Sequence, residues 1–145
     1  MTRSERAVSV FDQGFNCCQA VFSSFCDDLG MDRDTALKLA CGFGAGMARN
    51  GEVCGAVSGG ILVIGARCGR GERSDRSATE ETYGKVRELM GRFAGMHGTY
   101  TCRMLLDGIE LTTEQGQLSY LENDYFNRVC KACVRDVVEL LEEIL

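Results

Sequence analysis

A chain of 145 residues with 45% apolar and 26% charged side chains is long enough to bury about two-thirds of its unfolded surface as one domain. It is also too apolar to be disordered. A net charge of −5, with acids and bases interspersed, gives no general attraction to nucleic-acid phosphate or anionic membranes. The N-terminal "MTRSERAVSVFDQG" has no apolar signal segment, and the uncharged run Val53–Ala66 is too short to span a bilayer. The expectation is a cytoplasmic protein with no nucleic-acid partner and no membrane insertion.

The chain contains no proline, strand-like alternation is scarce, and helical spacing with caps is common, so the pattern predicts an all-α fold. A first helix is expected over Arg3–Gln13, with Ala7, Val8, Val10 and Phe11 inward and Gly14 as its stop. Asn16, with Gln19 three residues on, reads as a capping box for a second helix running to about Asp28. Asp32 opens a third, whose apolar set is Ala36, Leu37, Leu39, Ala40 and Cys41. It gives way at "GFGAGMARNG", residues 42–51, read as a flexible link. A fourth helix is expected from about Glu52 to Arg67, and a fifth from Ser77, paired with Glu80, to about Met96. Residues 98–123 read as short helical turns and loops, and a last helix is expected over Asp124–Leu145. The whole is a compact bundle of five or six helices.

The fourth helix carries unusual spacing. Gly55 and Gly59, with Ala56 and Gly60 beside them, flatten one side, and such a face lets neighbouring backbones approach closely. That approach offsets the roughly 1 kcal/mol each glycine costs a helix.

Nine cysteines are the anomaly. An odd number cannot pair completely and the cytosol keeps thiols reduced, so a structural disulfide framework is the weaker reading. Cys54 is placed in the first turn of the fourth helix and Cys17 follows the Asn16 cap. Both positions offer unpaired N–H groups and the positive end of a helix dipole, which favour thiolate. Cys102 lies in "HGTYTCRMLLDG", while Cys130 and Cys133 share one face of the last helix at i, i+3 spacing. Cys18 is rotated about 100° from Cys17, so only one of the two easily faces a common centre, and Cys68 lies about 21 Å along the helix from Cys54. Cys26 and Cys41 read as buried apolar fillers.

The segments "NCCQAV", "GEVCGAVSGG", "TCRMLL" and "CKACVRDVVELL" resemble, in order and spacing, the C_GCAxxG_C_C family of redox-active proteins. The signature stretch is Cys54-Gly55-Ala56-Val57-Ser58-Gly59. The resemblance runs from about Gly14 to the C-terminus. It implies a helical domain with metal or redox chemistry whose four characteristic cysteines are Cys17, Cys54, Cys102 and Cys130. Cys18 and Cys133 are additions to the pattern and possible substitutes as ligands. A similar domain stands attached to a multihaem cytochrome, which implies electron transfer.

Other features carry less. "GFGAGMARNG" follows a helix rather than a strand, against a dinucleotide-binding turn. Arg67, Arg70, Arg73 and Arg76 read as a solvated loop able to hold an anion or an acidic partner. His97, the single histidine, excludes a His-rich metal site and reads as surface or loop packing. Glu80, Glu81, Glu88, Glu139, Glu142 and Glu143 read as exposed helix faces.

Three functions compete. The first is an iron–sulfur or other thiolate-ligated centre held by Cys17, Cys54, Cys102 and Cys130, passing electrons to a redox partner protein or to a second copy in a homodimer. The second is a thiol–disulfide protein with Cys54 as the catalytic thiol and another cysteine resolving. The third is a structural zinc site on a helical interaction module.

Overall fold

The computed structural model describes residues 1–145. Eight right-handed α-helices build it: α1 Arg3–Asp12, α2 Cys17–Ser23, α3 Arg33–Ala40, α4 Gly55–Cys68, α5 Arg76–His97, α6 Cys102–Leu105, α7 Glu114–Glu122 and α8 Lys131–Ile144. The all-α reading holds. The count exceeds five or six because residues 98–123 wind into two helices of their own. No helix is long and apolar enough to cross a membrane.

Local chemistry sets most boundaries. Thr2 and Glu5 form a reciprocal capping box for α1, which Gly14 ends at φ +102°, a value that favours glycine. Asn16 and Gln19 form the second box as expected, through Asn16 N–H to Gln19 Oε1 at 2.9 Å and Gln19 N–H to Asn16 Oδ1 at 3.0 Å. Helix α2 stops at Ser23 rather than Asp28, because the next residues tighten into turns that bring Phe25 and Cys26 into the core. The cap of α5 is Asp75, not Ser77, since its carboxylate accepts from Ser77 N–H.

Helix α4 is the centre of the bundle, packing on α2, α5 and α8. Its small face works as the spacing predicts. A Cβ on Gly59 would meet the Cys18 carbonyl oxygen and Val21 Cβ, each at 2.9 Å, and one on Gly60 would meet Leu89 Cδ2 at 2.7 Å. Val57, Val63 and Ile64 fill the rest with Val21, Leu89, Phe93, Val134, Val137 and Leu141. Replacing Gly59 with Leu should therefore destabilise the protein by about 1–3 kcal/mol through overpacking. An unchanged urea midpoint would show that this face is open.

Two expectations for α3 fail. Leu39 is 56% exposed and Cys41 is exposed, because a single layer of contacts to α2 buries only Ala36 and Ala40. Cys26 is buried as expected.

The stretch after α3 is no flexible link. After a 3-10 turn at Cys41–Phe43, residues Ala45, Gly46, Met47, Ala48 and Arg49 all take left-handed φ values between 55° and 71°. A left-handed conformation costs a non-glycine residue roughly 1–2 kcal/mol. The turn is held by Ala48 N–H to Gly44 O at 2.9 Å and Glu52 N–H to Gly46 O at 3.0 Å. Gly46 cannot carry a side chain there, because a Cβ would meet Glu52 N at 2.6 Å and Cys102 Cβ at 2.7 Å.

Candidate functional site

Four separate segments deliver cysteines to one place. Cys17 is the first residue of α2, directly after its Asn16 cap. Cys54 is the N-cap of α4 rather than a residue of its first turn, because residues 52–54 are extended. They pair antiparallel with the start of α6 through a Val53–Thr101 bridge. Cys54 N–H donates to Tyr100 O at 2.8 Å and Cys102 N–H to Glu52 O at 2.6 Å. This clip sets Cys54 beside Cys102, 48 positions apart in a sequence that offers no strand-length alternation to announce it.

Cys130 arrives differently. The last helix does not run unbroken from Asp124. Residues Phe126–Cys130 form a wider π-type turn, and regular α-helix begins at Lys131. Such turns re-aim side chains and recur at functional sites. The continuous i, i+3/i+4 apolar spacing through Val129, Cys130, Cys133 and Val134 gives no hint of it.

Cys17, Cys54, Cys102 and Cys130, together with Cys133, line one open cavity of about 390 Å³. Cys18 faces away from it, buried in the core, as its rotation from Cys17 requires, and Cys26, Cys41 and Cys68 lie elsewhere. Most of the lining is apolar, including Phe11, Leu105, Leu106 and Val129, with Asn16, Arg49, Gln117 and Tyr120 as polar exceptions. Tyr120 escaped the sequence reading. Its hydroxyl donates to Cys130 Sγ at 3.5 Å, and nothing in its local pattern marks it. His97 does not reach the cavity. Its Nε2 sits 2.9 Å from Asp136 Oδ2 and its ring stacks on Phe93, tying α5 to α8.

The motif glycine Gly55 belongs to the site as much as to the packing. A Cβ there would run into Cys17 Sγ, so the C-G-A-x-x-G pattern makes room for the sulfur of another segment.

The backbone N–H groups at the helix starts favour thiolate at Cys17 and Cys54 as expected, but burial and neighbouring thiols outweigh them. Burial and the neighbouring Cys54 push Cys17 from its ordinary 9.0 up to about 11, although the backbone N–H groups of Ala45, Cys18 and Cys17 favour its thiolate. Cys54 is raised well above the ordinary value by its hydrogen bond with Cys133 and by burial, against the pull of the Ala56 and Val57 N–H groups. Burial raises Cys102, and it raises Cys130 to about 12 despite the Tyr120 hydrogen bond. Burial dominates at Cys17, Cys102 and Cys130 because apolar side chains of the cavity stand where water would otherwise share the charge.

The sign of the pH dependence follows. Each of these thiols holds its proton more tightly folded than unfolded, so the stability this contributes is fully present below the unfolded value near 9. It is lost as pH rises toward about 11 for Cys17 and about 12 for Cys130. Urea midpoints of the metal-free, reduced protein should be level from pH 7 to 9 and fall between 9 and 11. A flat profile to pH 11 would mean that the thiols are solvated.

The donor set suits a soft metal centre: five thiols and no imidazole or carboxylate among the cavity residues. The spacing does not suit one ion. No three His, Cys, Asp or Glu side chains are grouped closely enough to hold a metal ion, whereas a zinc ion needs all its sulfurs within about 2.3 Å of one point. The thiols of Cys17, Cys54, Cys102, Cys130 and Cys133 are the soft donors that this cavity offers.

A family model described as "Putative redox-active protein (C_GCAxxG_C_C)" matches residues 15–144. No curated protein and no solved structure matches the chain.

Proposed function

Because the chain belongs to the C_GCAxxG_C_C family of redox-active proteins, we propose that its cysteine cavity holds an iron–sulfur centre on Cys17, Cys54, Cys102 and Cys130 and that the protein transfers electrons. One observation carries this reading: four thiols from α2, α4, α6 and the turn before α8 line a single, largely apolar cavity. When bound, such a centre supplies one-electron exchange at a potential set by its surroundings.

The chain's own residues have definable tasks. On loading, each ligand thiol must lose the proton that burial makes it hold, so loading releases protons and strengthens with rising pH. The Ala45, Cys17 and Cys18 N–H groups at Cys17, and those of Ala56 and Val57 at Cys54, stabilise the negative sulfurs that remain. Tyr120 does the same for Cys130. Such donors favour the more negative, reduced state and raise the potential. The left-handed turn supplies the Ala45 donor, which gives its strained backbone a use.

Anaerobic purification followed by iron, sulfide and zinc analysis tests the reading. A brown protein with iron and labile sulfide in comparable amounts is expected. Stoichiometric zinc without sulfide would replace the reading with a structural zinc module, and a colourless, metal-free protein after reconstitution would remove the metal centre altogether. The electron partner is a redox protein or a second copy of this chain. Light scattering separates a homodimer from the 15.9 kDa chain.

A further inference from the structure

The stretch between α6 and α8 is built apart from the rest of the bundle. Of residues 108–124, only Leu111 and Gly116 are buried, and none joins the main hydrophobic core. Leu111 belongs instead to a small separate cluster with Cys102, Leu106 and Tyr125, bordered by Ile109 and Tyr120. No other helix packs extensively on α7, and Glu110, Glu114, Glu122 and Asp124 form no ion pair. Away from its two ends, the stretch reaches the rest of the protein through one hydrogen bond, from the Tyr120 hydroxyl to Cys130 Sγ at 3.5 Å.

The backbone marks both ends. Asp107 and Gly108 at one end and Asp124 at the other take φ values of 56°, 87° and 52°, and no other residue after Gly98 is left-handed. The Tyr125 hydroxyl donates to Asp107 Oδ2 at 2.8 Å, which clasps the base of the stretch together. From between these ends, Leu111, Gln117, Tyr120 and Leu121 form part of the wall of the cysteine cavity. Within that cavity Cys54 and Cys102 are only 6% and 8% exposed.

We propose that residues 108–124 form a hinged lid on the cysteine cavity, which lifts as one unit about Gly108 and Asp124 and uncovers Cys54 and Cys102. A segment with this little buried apolar surface opens at a far lower cost than the whole bundle unfolds. Gly108 turns freely, and rotation at Asp124 takes a non-glycine residue out of a left-handed conformation that L-residues disfavour. The Asp107–Tyr125 clasp fixes the base, while Leu111 and the Tyr120 contact with Cys130 hold the lid down. What the lid admits rests on the metal-centre reading: iron and sulfide have to reach four thiols from separate segments. The opening itself does not rest on it.

Hydrogen exchange and thiol labelling of the reduced, metal-free protein at one fixed pH therefore test the lid without reference to iron. The amides of α7 should exchange together and about 100-fold faster than those of α4, with a weak dependence on urea. Exchange of α7 only at the α4 rate would overturn the proposal. Leu111→Ala removes the buried anchor, so both α7 exchange and N-ethylmaleimide labelling of Cys54, located by mass spectrometry, should rise about tenfold. Cys18, buried outside the cavity, should label at the unmutated rate. Faster α7 exchange with unchanged Cys54 labelling would show that the segment frays without uncovering the cavity. Cys18 rising in step with Cys54 would show general loosening instead, and either result overturns the lid. Tyr120→Phe, which removes only the hydroxyl, should move exchange and Cys54 labelling together by about twofold. That paired shift decides the matter if Leu111→Ala fails to fold, and its absence there would sink the lid. Purified protein without iron would remove the metal centre and leave all these rates as expected.

Discussion

Serine at any one of positions 17, 54, 102 or 130 is expected to reduce iron content to background and to remove the stabilisation that loading brings. Each substitution exchanges a soft sulfur for a hard, weakly acidic hydroxyl that does not ionise near neutral pH. Because the four segments meet only in the folded chain, binding free energy is also folding free energy. The melting temperature of the loaded wild type should therefore exceed that of every one of these variants, and the metal-free forms should lie close together. Serine at Cys26, Cys41 or Cys68 should leave iron content unchanged, since none of the three lines the cavity. Cys133 is the arbiter for the last position. If Cys130→Ser retains iron and the Cys130→Ser, Cys133→Ser double variant does not, the ligand is Cys133.

Gly55→Ala should abolish loading while leaving the fold standing. The added methyl group meets Cys17 Sγ, the end of a side chain that can rotate away, and it also presses on the backbone at Phe43 O (3.2 Å) and Cys18 N (3.3 Å), which need give only by tenths of an ångström. The sulfur is thus expelled from the cavity wall, at a smaller cost to the core than a clash that only backbone could relieve. At Gly59 the neighbours are the Cys18 carbonyl and Val21 Cβ, which cannot rotate clear, so there the damage falls on stability. The two motif glycines therefore separate two effects. Iron content and circular dichroism measured on both variants check this. A Gly55→Ala protein that loads normally would mean that Cys17 has room to spare.

Helix starts with side-chain caps, such as Asn16 with Gln19 and Asp32, were legible because capping is written in residues close in sequence. The small face at Gly55 and Gly59 was legible for a similar reason: only close packing justifies so many glycines in an apolar helix. What escaped reading depends on distant partners. The Val53–Thr101 clip involves too few residues to alternate, and the wide turn before Cys130 keeps the same apolar spacing as a regular helix. Five consecutive left-handed residues, four of them not glycine, contradict every local preference and persist because Gly46 is wedged between Glu52 and Cys102. The net ionisation state was only half legible, for a different cause. A helix N-terminus is visible in sequence, but the desolvation that overrides it arises from Leu105, Leu106 and Val129 closing round the thiols.

The central claim is that the cavity's thiolates hold sulfide-bridged iron, and X-ray absorption at the iron edge of the anaerobically loaded protein tests it most directly. The prediction is a first shell made of sulfur alone with an iron–iron distance beyond it, both lost in Cys54→Ser. A first shell of oxygen and nitrogen, or iron sites without iron neighbours, would contradict it.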